Sequence, residues 1–324
     1  MRIRRPVLES RSWSRGVRSG SYRFVFWATA LICAFAPACG TQMPKQKIFA
    51  TPEEAVKAFV EAANTGNQEE FKAIFGPNAE EVLSSADPVA DRQNREVIAA
   101  ALQEGWRLLS LNDNAKELAI GDEGWPFPIP IVKGAAGWRF DTMAGKEEIL
   151  ARRIGRNELT VIQVCRTYVQ AQQLYASQSR DGRSTGTYAQ RFVSSPGKQD
   201  GLYWPVKRGE PHSPLGEFFA QASGEGYAQN SGGRPQPFHG YLFRILTTQG
   251  ESAPGGARSY LVDGIMTGGF ALVAWPAQYA NSGVMTFVVN QDGVVHEKDL
   301  GPETEATVKS MTAYDPDQTW NEVS

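Results

Sequence analysis

Residues 137–159 read GWRFDTMAGKEEILARRIGRNEL and join two different structural patterns. The run GWRFD at its start predicts a strand, and apolar residues recur at helical spacing after it. These residues form one broad stripe: Ile149, Ile154, Val161, Val164, Cys165, Tyr168, Val169 and Tyr175. The stripe predicts a long helix from about Lys146 to Gln178. A strand that leads into such a helix indicates an α+β chain whose second domain begins near residue 146.

The residues before this junction predict a first domain, 49–145, with helices followed by an antiparallel sheet. Thr51-Pro52-Glu53-Glu54 predicts a helix start, because it combines an N-cap, a proline at the first helical position and a glutamate three residues after the cap. The other predicted elements are helices at 68–75 and 91–105, a hairpin at 106–121, and strands at 125–132 and 138–141. This order resembles the nuclear-transport-factor-2-like cone, which implies a cavity surrounded by aromatic residues.

The residues after the junction predict a second domain, 146–324, in which a long helix precedes an antiparallel meander. Short helices are predicted at 188–192 and 215–222, and strands at 240–247, 258–262, 269–274, 284–290 and 294–298. A long helix followed by a meander resembles the globular part of type IV pilins and pseudopilins. Pilins polymerise through an apolar half-helix, whereas residues 147–156 here are charged, so we do not expect a filament.

The N-terminus predicts export. Seven arginines precede thirteen uncharged residues, 24–36, which fits a signal peptide over residues 1–38 and falls short of the roughly 20 residues that span a bilayer. Cys39 follows Ala36-Pro37-Ala38 and resembles the lipidated cysteine of bacterial lipoproteins, although the usual leucine three residues earlier is replaced. Residues 39–48 would be a tether. Ordinary secretion and an uncleaved anchor remain alternatives to an outer-membrane lipoprotein.

The net charge and the positions of the metal-ligating residue types limit the partners that we expect. Removal of residues 1–38 would change the net charge from −2 to −8, because seven arginines and one glutamate leave. An acidic chain repels phosphate backbones, so we expect no nucleic-acid partner. The three histidines are scattered, and Asp181 lies between two arginines, so the sequence predicts neither a metal site nor a cofactor.

Several long runs of the chain are characteristic: ATPEEAVKAF, GWPFPIPIVK, YAQRFVSSPGKQDGLYWP, GGFALVAWPAQY and SGVMTFVVNQDG, besides the run at 137–159. With these runs the chain resembles a bacterial envelope family, the domain-of-unknown-function 2950 family. These runs extend over nearly everything after residue 49. The resemblance implies a fold and secretion, and it implies no activity.

Two groups of residues are candidates for a site. Trp106, Trp125, Trp138 and Asp141 would form a ligand pocket if the first domain encloses the cavity of a cone fold. Ser195 and Lys198 match the S-x-x-K spacing of a serine nucleophile with a lysine base, but Pro196-Gly197 between them opposes the helical turn that this geometry needs. The first domain has no histidine for acid–base work.

These observations favour a non-enzymatic envelope protein that binds a small ligand or an envelope protein and is held at the membrane by lipid on Cys39. The alternative is an envelope hydrolase that uses the first-domain cavity or Ser195 with Lys198. An open pocket with convergent polar groups would favour a ligand or catalysis, whereas a packed aromatic core beside an exposed apolar patch would favour a protein partner.

Overall fold

The computed structural model describes residues 45–207, 209–227 and 236–323. The predicted signal peptide and Cys39 lie outside these residues. Within the described ranges, no helix combines the length and the apolar composition needed to cross a bilayer.

The described part of the chain begins with four helices and a four-stranded sheet. The helices are α1 (Pro52–Thr65), α2 (Gln68–Phe75), α3 (Ala79–Leu83) and α4 (Pro88–Glu104). The strands are β1 (Trp106–Asn112), β2 (Ala115–Ile120), β3 (Trp125–Gly134) and β4 (Gly137–Phe140), paired antiparallel in the order β1-β2-β3-β4. Three prolines occur in β3, and its register with β2 shifts between Lys116 and Leu118. The predicted order of helices and strands is confirmed, and α3 is an addition.

The long helix is confirmed, but it begins earlier than predicted. Helix α5 covers Thr142–Ala176, because the side chain of Asp141 caps it and the segment after the strand is already helical. Helix α4 also begins three residues before the predicted start, since Asp87 is its N-cap and Pro88 occupies the first helical position.

A five-stranded antiparallel sheet packs against α5. After α6 (Gly216–Gly224), the strands are β5 (Tyr241–Leu246), β6 (Thr248–Gln249), β7 (Arg258–Ser259), β8 (Leu261–Val262), β9 (Ile265–Met266), β10 (Ala271–Pro276), β11 (Met285–Asn290) and β12 (Val295–Asp299). Helix α7 (Thr304–Ser310) and strand β13 (Asn321–Glu322) follow. The large sheet has the order β13-β12-β11-β10-β5, whereas β6-β7 and β8-β9 form two small hairpins.

Most predicted strands of this sheet are confirmed within two residues. Two other predicted elements differ from the structure. The strand predicted at 258–262 is divided between two hairpins, and the helix predicted at 188–192 is wrong, since that segment is irregular. Two clusters of buried apolar residues support the fold: one lies between α1, α2 and the first sheet, and the other lies between α5 and the large sheet. The chain is therefore a mixed α+β protein with open antiparallel sheets.

Candidate functional site

The four residues predicted to form a ligand pocket lie in different surroundings. Trp138 is buried, whereas Trp125 is 43% exposed and stacks below Arg152, whose guanidinium carbon lies 4.9 Å from the ring centroid. Trp106 is half-buried and borders a surface cavity of about 250 Å³ beside α1. Asp141 caps α5. Neither of the two cavities that we describe is lined by more than one of these four residues.

The space between the first sheet and its helices is filled by aromatic side chains. Five phenylalanines, each at most 7% exposed, meet there: Phe59, Phe71, Phe75, Phe127 and Phe140. Their ring centroids lie between 5.0 and 6.4 Å apart, which is the spacing of a packed aromatic core. These five phenylalanines are therefore closely packed and leave little room for a ligand among them.

Ser195 and Lys198 lie in a tight turn. The Lys198 amide donates to the Ser195 carbonyl at 3.0 Å. The Ser195 hydroxyl donates to Asp200 at 2.9 Å and accepts from Arg191 at 2.8 Å. Burial raises the pKa of the Asp200 carboxyl, but hydrogen bonds from Ser195 and the charge of Arg191 outweigh it, so the pKa lies below its usual value. A carboxylate of lowered pKa is a poor general base for the serine.

The histidines and acidic residues that the structure describes do not assemble a metal site. Among the described residues, no group of three or more histidine, cysteine, aspartate or glutamate side chains is placed to hold a metal ion. The Asp181 carboxylate instead accepts a hydrogen bond from the Gln199 amide at 2.7 Å. His296 lies on β12, and burial lowers its pKa.

A larger cavity lies where the start of α4 meets α5, α6 and β5. Its volume is about 490 Å³, within the range of small-molecule sites in proteins. Helix α4 contributes its first turn, α5 contributes one face at 164–168, and α6 contributes one face at 215–222. Residues 192–193, 226–227, 236–238 and 242–243 complete the wall.

Phenylalanine side chains dominate this wall. Five of them line the cavity, and each is half-buried: Phe192, Phe218, Phe219, Phe238 and Phe243. This arrangement contrasts with the five phenylalanines of the first core, which are buried. Partly exposed phenylalanines that face a common concavity form an apolar surface that a ligand can cover.

Asp87 is the one charged residue among the described residues that line the cavity, and it is 1% exposed. Its Oδ1 atom accepts from the amides of Val89 and Ala90, both at 3.1 Å, as an N-cap does. Its Oδ2 atom accepts from the Tyr227 hydroxyl at 2.8 Å and from the Gly240 amide at 3.0 Å. Four donors therefore surround a carboxylate that also neutralises the positive end of α4.

The residues around Tyr227 complete this network. The Tyr227 hydroxyl also accepts from the His239 amide at 3.2 Å, and His239 Nε2 lies 3.0 Å from the Glu225 carboxylate. Burial raises the pKa of Tyr227, and the hydrogen bond and charge of Asp87 raise it further. Gly240 has a φ of 75°, and a Cβ atom there would lie 2.7 Å from Asn157 Nδ2. A glycine therefore suits the position whose amide reaches Asp87.

The second buried hydroxyl at the cavity is also paired. Tyr168 donates to the Ala271 carbonyl at 3.3 Å and accepts from Gln172 Nε2 at 3.0 Å. Burial is the main cause that raises its pKa, so the hydroxyl stays protonated. The remaining polar lining residues, Thr167 and Gln236, are half-buried and exposed, respectively. The cavity can therefore hold an apolar group by burial, and its buried polar groups serve the fold.

The sequence predicts none of the cavity residues as a site. They come from segments separated by up to 156 positions, between Asp87 and Phe243. The one local signal is Asp87-Pro88, which is typical of a helix start.

Comparison with known proteins places the chain in a family. Searches against curated proteins and against solved structures returned no match, so the likenesses to the nuclear-transport-factor-2-like cone and to pilin globular domains stay predictions. A family model described as "Protein of unknown function (DUF2950)" matches residues 46–323, which is most of the chain. The chain therefore belongs to the DUF2950 family.

Proposed function

We propose that this protein is a non-enzymatic binding protein of the bacterial cell envelope and that it holds a small apolar ligand in the cavity between α4, α5, α6 and β5. The observation that carries the proposal is the group of five half-buried phenylalanines that face one cavity of about 490 Å³. Leaving this much aromatic surface uncovered costs free energy, which a bound ligand would recover.

The proposed location rests on the N-terminal sequence. Residues 1–38 have the charge and length of a signal peptide, and Cys39 follows small residues at its end. In this proposal, the mature chain begins at Cys39 and a lipid on that residue holds it at the outer membrane. Mass spectrometry of the mature N-terminus tests this directly. A diacylglyceryl group on Cys39 supports the tether, and an unmodified N-terminus after residue 38 contradicts it.

The hydrolase alternative has less support from the geometry. The Ser195 hydroxyl is hydrogen-bonded to Asp200 and Arg191, and Lys198 belongs to a turn rather than to a shared helical turn with Ser195. The phenylalanine core occupies the space that a first-domain active site would need. A Ser195→Ala variant that stays folded but loses the native phenotype would favour the hydrolase.

Binding of N-phenyl-1-naphthylamine, an uncharged fluorescent probe, tests the binding function. We expect saturable fluorescence enhancement with one site per chain. Val164→Trp places a large ring in the cavity from α5 and should weaken probe binding by about tenfold or more, which is about 1.4 kcal/mol. Leu159→Trp is the matched control, since Leu159 lies on the same helix, is 68% exposed and does not line the cavity. Equal probe binding by both variants, or none by the wild type, contradicts the proposal.

A further inference from the structure

The carboxylate and the two tyrosine hydroxyls at the cavity wall are already paired within the protein. Asp87 has four donors, the Tyr227 hydroxyl donates to Asp87 and accepts from the His239 amide, and the Tyr168 hydroxyl both donates and accepts. A polar ligand group placed against Asp87, Tyr168 or Tyr227 would lose its hydrogen bonds to water and find these partners already paired. The deep part of the site therefore selects an uncharged group without hydrogen-bond needs.

Charge leads to the same selection. The positive end of the α4 dipole lies at the cavity, but the carboxylate of Asp87 already neutralises that partial charge. A carboxylate or phosphate brought beside Asp87 would meet a like charge in a site shielded from water. An anionic head group therefore has to remain outside, where water solvates it.

The orientation of the aromatic rings favours a flexible chain over a flat ligand. Neighbouring rings meet at steep angles: 60° for Tyr168 and Phe192, 76° for Phe218 and Phe219, and 60° for Phe218 and Phe238. The wall therefore presents a mixture of ring faces and ring edges at different angles, so a rigid planar ligand can lie against only some of them at once. A hydrocarbon chain can follow such a wall by changing its torsion angles.

The length of the wall also suits a chain. Leu215, the N-cap of α6, and Phe218, Phe219 and Ala222 on one face of that helix all line the cavity. Residues seven positions apart on a helix are separated by about 10 Å along its axis. The apolar wall is therefore long enough for a run of methylene groups.

We infer that the ligand is the hydrocarbon chain of a lipid, acyl or isoprenoid, bound with its charged or polar head group outside the cavity. This inference rests on the proposed binding function and specifies its ligand class. A membrane lipid and a free lipid share this chemistry, and the two chain types are distinguished by the competitors below.

Displacement of N-phenyl-1-naphthylamine from the purified full chain tests the ligand class. The competitors are monoacylglycerols with 8 to about 16 carbons, the isoprenoid alcohol farnesol, and anthracene as the planar aromatic, each below its aggregation concentration. We expect the Kd of the monoacylglycerols to fall by up to about fourfold for each buried methylene, until the chain fills the cavity, which corresponds to about 0.8 kcal/mol. Tighter binding of farnesol than of monoacylglycerols of similar length would identify an isoprenoid site.

Two variants control the experiment. Val164→Trp should weaken the chains and the probe together, and Leu159→Trp should leave both within about twofold. If Val164→Trp fails to fold, Val89→Trp fills the cavity from the first turn of α4, where Val89 is half-buried. Stronger displacement by anthracene, or affinities independent of chain length, would overturn the ligand class and leave the binding function standing. Failure of the wild type to bind the probe or any chain would overturn both.

Discussion

The hydroxyl group of Tyr227 donates a hydrogen bond of 2.8 Å to the carboxylate of Asp87, which lies 140 residues earlier in the chain. The same carboxylate begins α4 and holds the backbone of Gly240, so one buried group fixes three segments of the cavity wall. Because a carboxylate is buried only with adequate donors, the position of Tyr227 is tied to the start of α4. The site is thus formed by long-range pairing rather than by a local motif.

Tyr227→Phe should destabilise the protein by about 2 kcal/mol. The variant removes a donor to a buried carboxylate and an acceptor for the His239 amide, and hydrogen bonds to charged groups contribute about 1.5–3 kcal/mol each. The free energy of unfolding in urea measures this loss. Because the ring remains, the apolar lining of the cavity changes little.

Tyr279→Phe is the matched control for this variant. Its hydroxyl also donates to a carboxylate, Asp299, at 3.2 Å, but the bond is exposed to solvent. Water can replace the lost partner there, so we expect a change within about 0.5 kcal/mol. Similar losses for the two variants would mean that burial of Asp87 does not strengthen its bond to Tyr227.

The order and type of the main elements could be predicted because local patterns determine them. The stripe of α5 and the hairpin turn Gln291-Asp292-Gly293 each carry their signal in adjacent residues. Boundaries were less accurate where a cap decides them, as at Asp141, which is an N-cap rather than a cavity residue. The helix predicted at 188–192 is wrong because backbone groups of this segment pair with other segments. The Tyr188 amide donates to the Met266 carbonyl at 2.8 Å, and the Phe192 carbonyl accepts from the Tyr203 amide at 2.8 Å.

The cavity could not be predicted from local patterns. Phe192, Phe218 and Phe243 each read as ordinary core residues in the sequence, since nothing local distinguishes a half-buried phenylalanine from a buried one. The predicted tryptophans are on the first sheet, where tight packing of Phe59 and its neighbours occupies the interior. Which aromatic cluster packs completely and which stays open depends on contacts among distant segments.

Gly145→Ala should destabilise the protein by about 1 kcal/mol or more. A Cβ atom at Gly145 would lie 2.7 Å from Ile129 Cγ1 and 2.8 Å from the Pro128 carbonyl oxygen, where α5 crosses β3. Overpacking of this kind costs about 1–3 kcal/mol, and we expect the upper half of this range because the crowded atoms include the backbone of Pro128 and Ile129. The cost then exceeds the gain of about 1 kcal/mol in helix propensity. Urea denaturation measures the result.

Gly155→Ala is the matched control on α5, because it raises helix propensity without adding a close contact. A Cβ atom at Gly155 would meet no heavy atom within 4 Å, apart from the backbone of its own helix and its chain neighbours. The substitution should therefore stabilise the protein by up to about 1 kcal/mol. Opposite signs for the two variants support the close contact of α5 with β3, and stabilisation by both would rule it out.

Cys165 should make stability fall in alkaline solution. Burial raises the pKa of its thiol from 9.0 to about 12, against a smaller opposing effect from the charge of Arg166. Below pH 9 the thiol is protonated in both the folded and the unfolded chain, so its contribution is complete. As the pH rises above 9, the unfolded chain loses this proton first, so stability decreases until the folded thiol also ionises near pH 12.

The pH dependence of a Cys165→Ala variant isolates this contribution. Between pH 8 and pH 10, the wild type should lose about 1.4 kcal/mol more unfolding free energy than the variant. The constant cost of the smaller side chain cancels, because only the change with pH is compared. Parallel pH profiles for the two proteins would mean that the thiol ionises as easily in the folded chain as in the unfolded one.

Arg153→Ala should destabilise the protein by about 3 kcal/mol or more, because Arg153 is 7% exposed and donates to carbonyls that α3 leaves unpaired. Its guanidinium reaches the Val82 carbonyl at 2.7 Å, the Ser84 carbonyl at 3.1 Å and the side chain of Asn281.

Arg152→Ala is the neighbouring control. Its side chain is 35% exposed, pairs with Glu148 and stacks on the Trp125 ring, so its loss should cost about 1 kcal/mol. Urea denaturation compares the totals, and amide hydrogen exchange locates the effect. Exchange in Ala79–Leu83 should accelerate in the Arg153 variant alone, and equal acceleration in both variants would show that α3 does not depend on Arg153.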